Sequence, residues 1–129
     1  MVSQAHDPVV ITGIGVLASN GTGREEFWRA LQQGKSGIRT ITRFDPSGFD
    51  CRVAGELVDF NPEDYMRKAE VRRWHSHVHQ AVAAAQLAVN DSDVLTAGYE
   101  PERIATAVGT SVGTPDEHYL EYREHYETR

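Results

Sequence analysis

Cysteine is almost missing from this chain: Cys51 stands alone among 129 residues, so no internal disulfide can form. The expectation is a reduced, cytoplasmic protein. Apolar runs are short, and none approaches the ~20 residues that a bilayer-crossing helix needs. Basic residues are the minority. Thirteen Lys and Arg face 19 Asp and Glu, and the resulting net charge of -6 argues against a surface built to neutralise nucleic-acid phosphates. Residues 1–8 lack the cationic start and apolar core of an export signal and are expected to be flexible. What is left, 40% hydrophobic and 25% charged residues, is the composition of an ordinary globular protein and excludes disordered and collagen-like chains. By length alone it reads as about one domain.

Local patterns come in an alternating order. Val9-Val10-Ile11-Thr12-Gly13-Ile14-Gly15-Val16 is a short β-branched run that opens into a Gly/Ser/Asn loop, as a buried parallel-type strand would. Thr22 and Glu25 have capping-box spacing, which predicts a helix to about Gln33 with Phe27, Ala30 and Leu31 on its apolar face, Trp28 beside them and Gly34 as its C-terminal cap. Residues 35–48 read as loop, and residues 51–58 as a strand near an edge. Asn61-Pro62-Glu63-Asp64 is a helix start, with Asn61 as N-cap. Residues 70–90 carry Val71, Trp74, Val78, Ala81, Ala85 and Ala88 at spacings of three and four, which predicts one long helix whose alanine-rich half approaches its neighbours closely. Ile104-Ala105-Thr106-Ala107-Val108 is a second buried strand, ending in Gly109-Thr110-Ser111-Val112-Gly113. Thr114-Pro115-Asp116-Glu117 then starts a last helix bearing Tyr119, Tyr122 and Tyr126 on one stripe, with no stop signal behind it.

This order predicts an α/β architecture around a mainly parallel sheet. Two or three strands make a small sheet, and little chain is left to cover the tyrosine stripe. The expectation is that further chain or another subunit supplies the cover.

Several motifs suggest chemistry that their context does not support. Gly13-Ile14-Gly15-Val16-Leu17-Ala18 fits the dinucleotide pattern G-x-G-x-x-A, but Ser19, Asn20, Gly21 and Gly23 delay the helix whose N-terminus would meet a pyrophosphate. A structural glycine bend explains it better. Gly109-Thr110-Ser111-Val112-Gly113 fits the nucleophile elbow G-x-S-x-G, making Ser111 a candidate hydrolase nucleophile. Only 16 residues follow Gly113, however, and Asp116, His118 and His125 are too local to complete a triad. His75 and His79 share a helical face with His77 between them, yet no third metal ligand is evident, and no metal is expected. Cys51 lies far from any helix N-terminus that would stabilise a thiolate and is expected to be inert.

Taken together, residues 9–16, Phe27-Trp28, Gly34-Lys35-Ser36-Gly37-Ile38 and Phe44-Asp45 resemble the opening of the β-ketoacyl synthases, the condensing enzymes of fatty-acid and polyketide assembly. Arg52-Val53-Ala54-Gly55, Asp59-Phe60-Asn61, Asp64-Tyr65-Met66, Arg72-Arg73, Asn90-Asp91-Ser92 and residues 103–113 extend the likeness in order.

The resemblance implies a thiolase-like fold, of which this chain would be an incomplete first half. It implies a dimer, either homodimer or ketosynthase-like heterodimer, and an acyl carrier protein whose phosphopantetheine delivers the acyl groups, with no other cofactor. The family's nucleophilic cysteine and two catalytic histidines fall beyond residue 129, so no catalytic residue is expected in this chain. Ser111, Val112 and Gly113 would border the acyl pocket, and Tyr119, Tyr122 and Tyr126 would face the partner. A catalytically empty partner subunit of the chain-length-factor type is the alternative. A small hydrolase using Ser111 is a weaker one.

Overall fold

The computed structural model describes residues 8–111, 113 and 115–127, without the side chains of 115–118. Residues 1–7, Val112 and Thr114, for which flexibility, a pocket wall and an N-cap were expected, lie outside the described residues. The elements follow in order. A tight hairpin, β1 (Leu17–Ala18) and β2 (Gly21–Thr22), leads into α1 (Arg24–Gln32), and β3 (Arg39–Thr40) pairs with β4 (Val53–Ala54). A 3-10 turn over Pro62–Asp64 precedes α2 (Lys68–Arg73) and α3 (Ser76–Asp91). A second turn over Pro101–Arg103 precedes α4 (Pro115–Tyr126).

The expected capping box at Thr22 and Glu25 does not form. Gly23, at φ 81°, takes the N-cap position, and its amide closes the hairpin on the Val16 carbonyl at 2.8 Å. Glu26, one position further on, accepts weakly from the Thr22 amide at 3.4 Å. Glu25 and Glu26 still place carboxylates at the positive end of α1. The other end follows expectation: Gly34, at φ 63°, stands where the helix stops, and the Gly34 and Lys35 amides return to the carbonyls of Leu31 and Ala30. Asn61 caps as expected, its side-chain oxygen accepting the Glu63 amide at 3.2 Å.

The long helix expected over 70–90 is two helices. Trp74 (ψ 151°) and His75 (ψ 160°) are extended, and the His75 carbonyl accepts the amides of Val78 and His79 to begin α3. A reciprocal pair between Arg67 and Glu70 caps α2, whose last turn closes at Trp74. Periodicity conceals such a break because Val71, Trp74 and Val78 keep helical spacing across it.

The alanine-rich part of α3 is the centre of packing. Ala83 is fully buried, α3 touches both β1 and the first 3-10 turn, and α1 packs on β2. The segment 13–15 lies against the back of α3 so closely that a β-carbon on Gly15 would strike the Ala84 carbonyl and come within 2.7 Å of the Ala88 nitrogen. Only glycine permits that approach. Asp91 secures the same segment, accepting the Ile14 amide at 2.9 Å and pairing with Arg24 at 2.5 Å.

The two expected strands, 9–16 and 104–108, join no ladder among the described residues, and both ladders that do form are short and antiparallel. A strand is stabilised by partners on its edges and by cover on its faces. Here Val9 is fully exposed, Ile11 is 84% exposed and Val108 is 72% exposed. Among the described apolar residues only Ala30 and Ala83 are fully withdrawn from solvent. The core is correspondingly thin.

Candidate functional site

The bend after residues 104–108 and the helix that follows it carry the residues singled out for a pocket wall and an interface. Gly113 has φ 73°, a conformation that side-chain-bearing residues rarely adopt, and its amide donates to the Thr110 hydroxyl at 3.3 Å. A β-carbon added at Gly109 or Gly113 would meet nothing within 4 Å, so neither glycine is required by close packing; conformation alone explains Gly113. Ser111 is exposed, and no histidine among the described residues is bonded to its hydroxyl. This gives no support to an activated nucleophile there.

Helix α4 presents Tyr119, Tyr122 and Tyr126 to solvent together with Leu120, each more than half exposed. Tyr122 and Tyr126 lean on one another with ring centroids 4.8 Å apart, and His125 meets Tyr126 edge-on. Rings stacked on each other in the open make a preformed apolar ridge.

His75, His77 and His79 do not gather as metal ligands. His75 stands at the start of α3, its ring stacked on that of His77, while His77 Nδ1 and His79 Nε2 are buried without a hydrogen-bond partner among the described residues. No group of three or more His, Cys, Asp or Glu among the described residues could hold a metal ion. Cys51 is exposed, with its thiol 3.5 Å from the Val53 carbonyl.

The most basic short surface is α2 and its approach, where Arg67, Lys68, Arg72 and Arg73 are all exposed in a chain of net charge -6. Bonds from the Arg67 side chain and amide hold the Glu70 carboxyl below its ordinary pKa. On the loop side of the β3–β4 pair, Glu56 accepts from the Thr42 hydroxyl at 2.8 Å and from the amides of Thr42 and Arg43. Desolvation pushes its carboxyl up, but these bonds and the Arg43 charge outweigh it and leave the pKa lowered. Sequence reading missed this clamp, since only the fold brings Glu56 to Thr42.

Two clefts flank the hairpin. The larger, 590 Å³, lies between the hairpin, the C-terminal half of α1 and residues 57–60; the other, 480 Å³, lies between β1, Leu57 and the start of α3. No helix among the described residues is long and apolar enough to cross a membrane.

Comparison with known proteins identifies relatives of the chain. Residues 6–129 match the β-ketoacyl synthase N-terminal domain. The chain is 43% identical over 96 residues to the tetracenomycin polyketide synthase ketoacyl synthase beta subunit of Streptomyces glaucescens, covering 74% of this chain and 22% of that one. It is 35% identical over 105 residues to 3-oxoacyl-[acyl-carrier-protein] synthase 2 of Synechocystis sp., covering 81% and 25%. In three dimensions it superposes on the ishigamide ketosynthase/chain length factor with a TM-score of 0.70 at 36% identity, over 92% of this chain and 30% of that one. The chain thus spans about a quarter of the length of the curated relatives it matches.

Proposed function

Because the chain belongs to the β-ketoacyl synthase family, with the thiolase-like α/β fold of its N-terminal segment, we propose that it serves as that segment of a decarboxylating condensing enzyme. The parent reaction joins C2 of a malonyl group to the carbonyl carbon of an acyl thioester as the malonyl carboxylate leaves as carbon dioxide, and it releases the thiolate that held the acyl chain. Acyl groups arrive on the phosphopantetheine of acyl carrier protein, without metal or other cofactor. The exposed cations of α2 offer such a carrier an electrostatic landing surface. Ser111, Val112 and Gly113 border the acyl pocket, and Tyr119, Tyr122 and Tyr126 meet a second, ketosynthase-like subunit. The exposed aromatic ridge of α4 supports this placement.

The observation that carries the reading is the ordered match over residues 6–129 together with the superposition at 0.70. A second reading, a partner subunit of the chain-length-factor type that shapes the pocket without chemistry, is favoured by the 43% identity to a beta subunit and by the ketosynthase/chain length factor neighbour. In both readings this chain by itself performs no acyl transfer, because its lone Cys51 is an exposed thiol that lies in no helix. Incubation of the purified 129-residue chain with acyl-carrier-protein thioesters, followed by intact mass spectrometry, is expected to show no acyl adduct. Stoichiometric acylation at Cys51 or Ser111 would overturn that part of the reading.

A further inference from the structure

The larger cleft beside the hairpin has an electrostatic character that the condensation chemistry does not use. Arg29, Lys35 and Arg39 line it together with Glu26 and Asp59. Arg39 is the best fixed of the cations: it is half-buried, and its Nη2 donates to the Ser19 carbonyl at 2.8 Å, which leaves the rest of its guanidinium fork available. None of the three cations forms an ion pair among the described residues. Glu26, by contrast, already turns towards the Thr22 amide.

The end of α1 lies in this wall, and its dipole would repel an anion if its last carbonyls were bare. They are not. The carbonyls of Arg29, Ala30 and Leu31 accept the amides of Gln33, Lys35 and Gly34. Leu57 and Phe60, both half-buried, add apolar surface to the lining. A cleft of 590 Å³ falls in the ordinary range for small-molecule sites, roughly 300–1,000 Å³.

We propose that the cleft framed by Arg29, Lys35 and Arg39 binds a phosphate-class oxyanion, either free or as the ester of a small molecule whose body lies on Leu57 and Phe60. Arg39 supplies the fixed fork, and Arg29 and Lys35 close on the remaining oxygens as flexible charges. The site is separate from the 109–113 bend and does not depend on acyl chemistry.

Equilibrium dialysis of radiolabelled inorganic phosphate against the 129-residue chain, at fixed ionic strength, tests it whether or not the chain self-associates. The expected result is saturable binding at about one ion per chain, weakened about tenfold or more in Arg29→Gln/Lys35→Gln, whose side chains are exposed and form no ion pair among the described residues. The same binding should persist in Arg52→Gln/Arg103→Gln, which removes equal charge elsewhere. Phenyl phosphate competing better than inorganic phosphate supports the ester form, and equal competition supports the free ion. Uptake that never saturates, or both double variants behaving like the wild type, overturns the proposal.

Discussion

Gly15 and Gly109 each follow an apolar, β-branched run in a glycine bend, yet only the first lies against anything. Around Gly15, Ala84 and Ala88 of α3 present a backbone surface with almost no side chain in the way, and Asp91 reaches over to take the Ile14 amide. Around Gly109 a β-carbon would find open space, and residues 99–111 are exposed throughout. Both runs are built around β-branched strand formers. What separates them is a third element that offers small residues and a hydrogen-bond acceptor at the right place. Docking in this molecule is therefore decided by the receiving helix more than by the strand.

The sharpest way to break the contrast is to give both glycines the same side chain. Gly15→Val drives a branched group into the α3 backbone and should cost about 2–3 kcal/mol in urea unfolding followed by circular dichroism. Gly109→Val should change stability by less than about 0.5 kcal/mol, as an exposed substitution away from packing does. Equal costs at the two positions would show that the bends are equivalent after all.

A smaller effect is expected at Asp91. Asp91→Ala leaves the Ile14 amide without its acceptor and Arg24 without its partner, and should cost about 1–2 kcal/mol. Its specific sign is faster hydrogen exchange at Ile14 with no change at Val108. Asp91→Asn, which keeps an acceptor oxygen, should restore most of the protection.

The smallest effect is acid loosening confined to the loop beside β3 and β4, away from the second region. The Glu56 carboxyl is lowered from an ordinary value of 4.5, so its folded form favours the charged state. Its contribution is complete above that value and disappears as pH falls through the lower folded pKa. Amide shifts of Thr42 and Arg43 should report this titration, while those of residues 104–108 stay still. Glu56→Gln should abolish it.

Much of the local grammar was legible in the sequence. Gly34 and Asn61 act as their residue types require, because caps depend on neighbours a few positions away. Three things were hidden for one reason, which is distance. The N-cap of α1 moved to Gly23 because the hairpin closes onto Val16. Helix α3 separates from α2 at Trp74 and His75 without disturbing the apolar spacing. The runs at 9–16 and 104–108 read as strands by composition, but a ladder needs a second edge, and no edge is written into a single segment. Ser111, Gly113 and the three tyrosines were nameable through family likeness, whereas the Glu56 clamp and the cationic cleft arise only when residues far apart are brought together.

The bond from Ile14 to Asp91 spans 77 positions in the chain. During synthesis the first apolar run leaves the ribosome long before the helix that will receive it. At 5–20 residues per second the wait is roughly 4–15 s, during which residues 13–15 have no helix to dock on. The early part of this protein is therefore a client of its own later translation, and a pause before residue 91 would prolong its exposure.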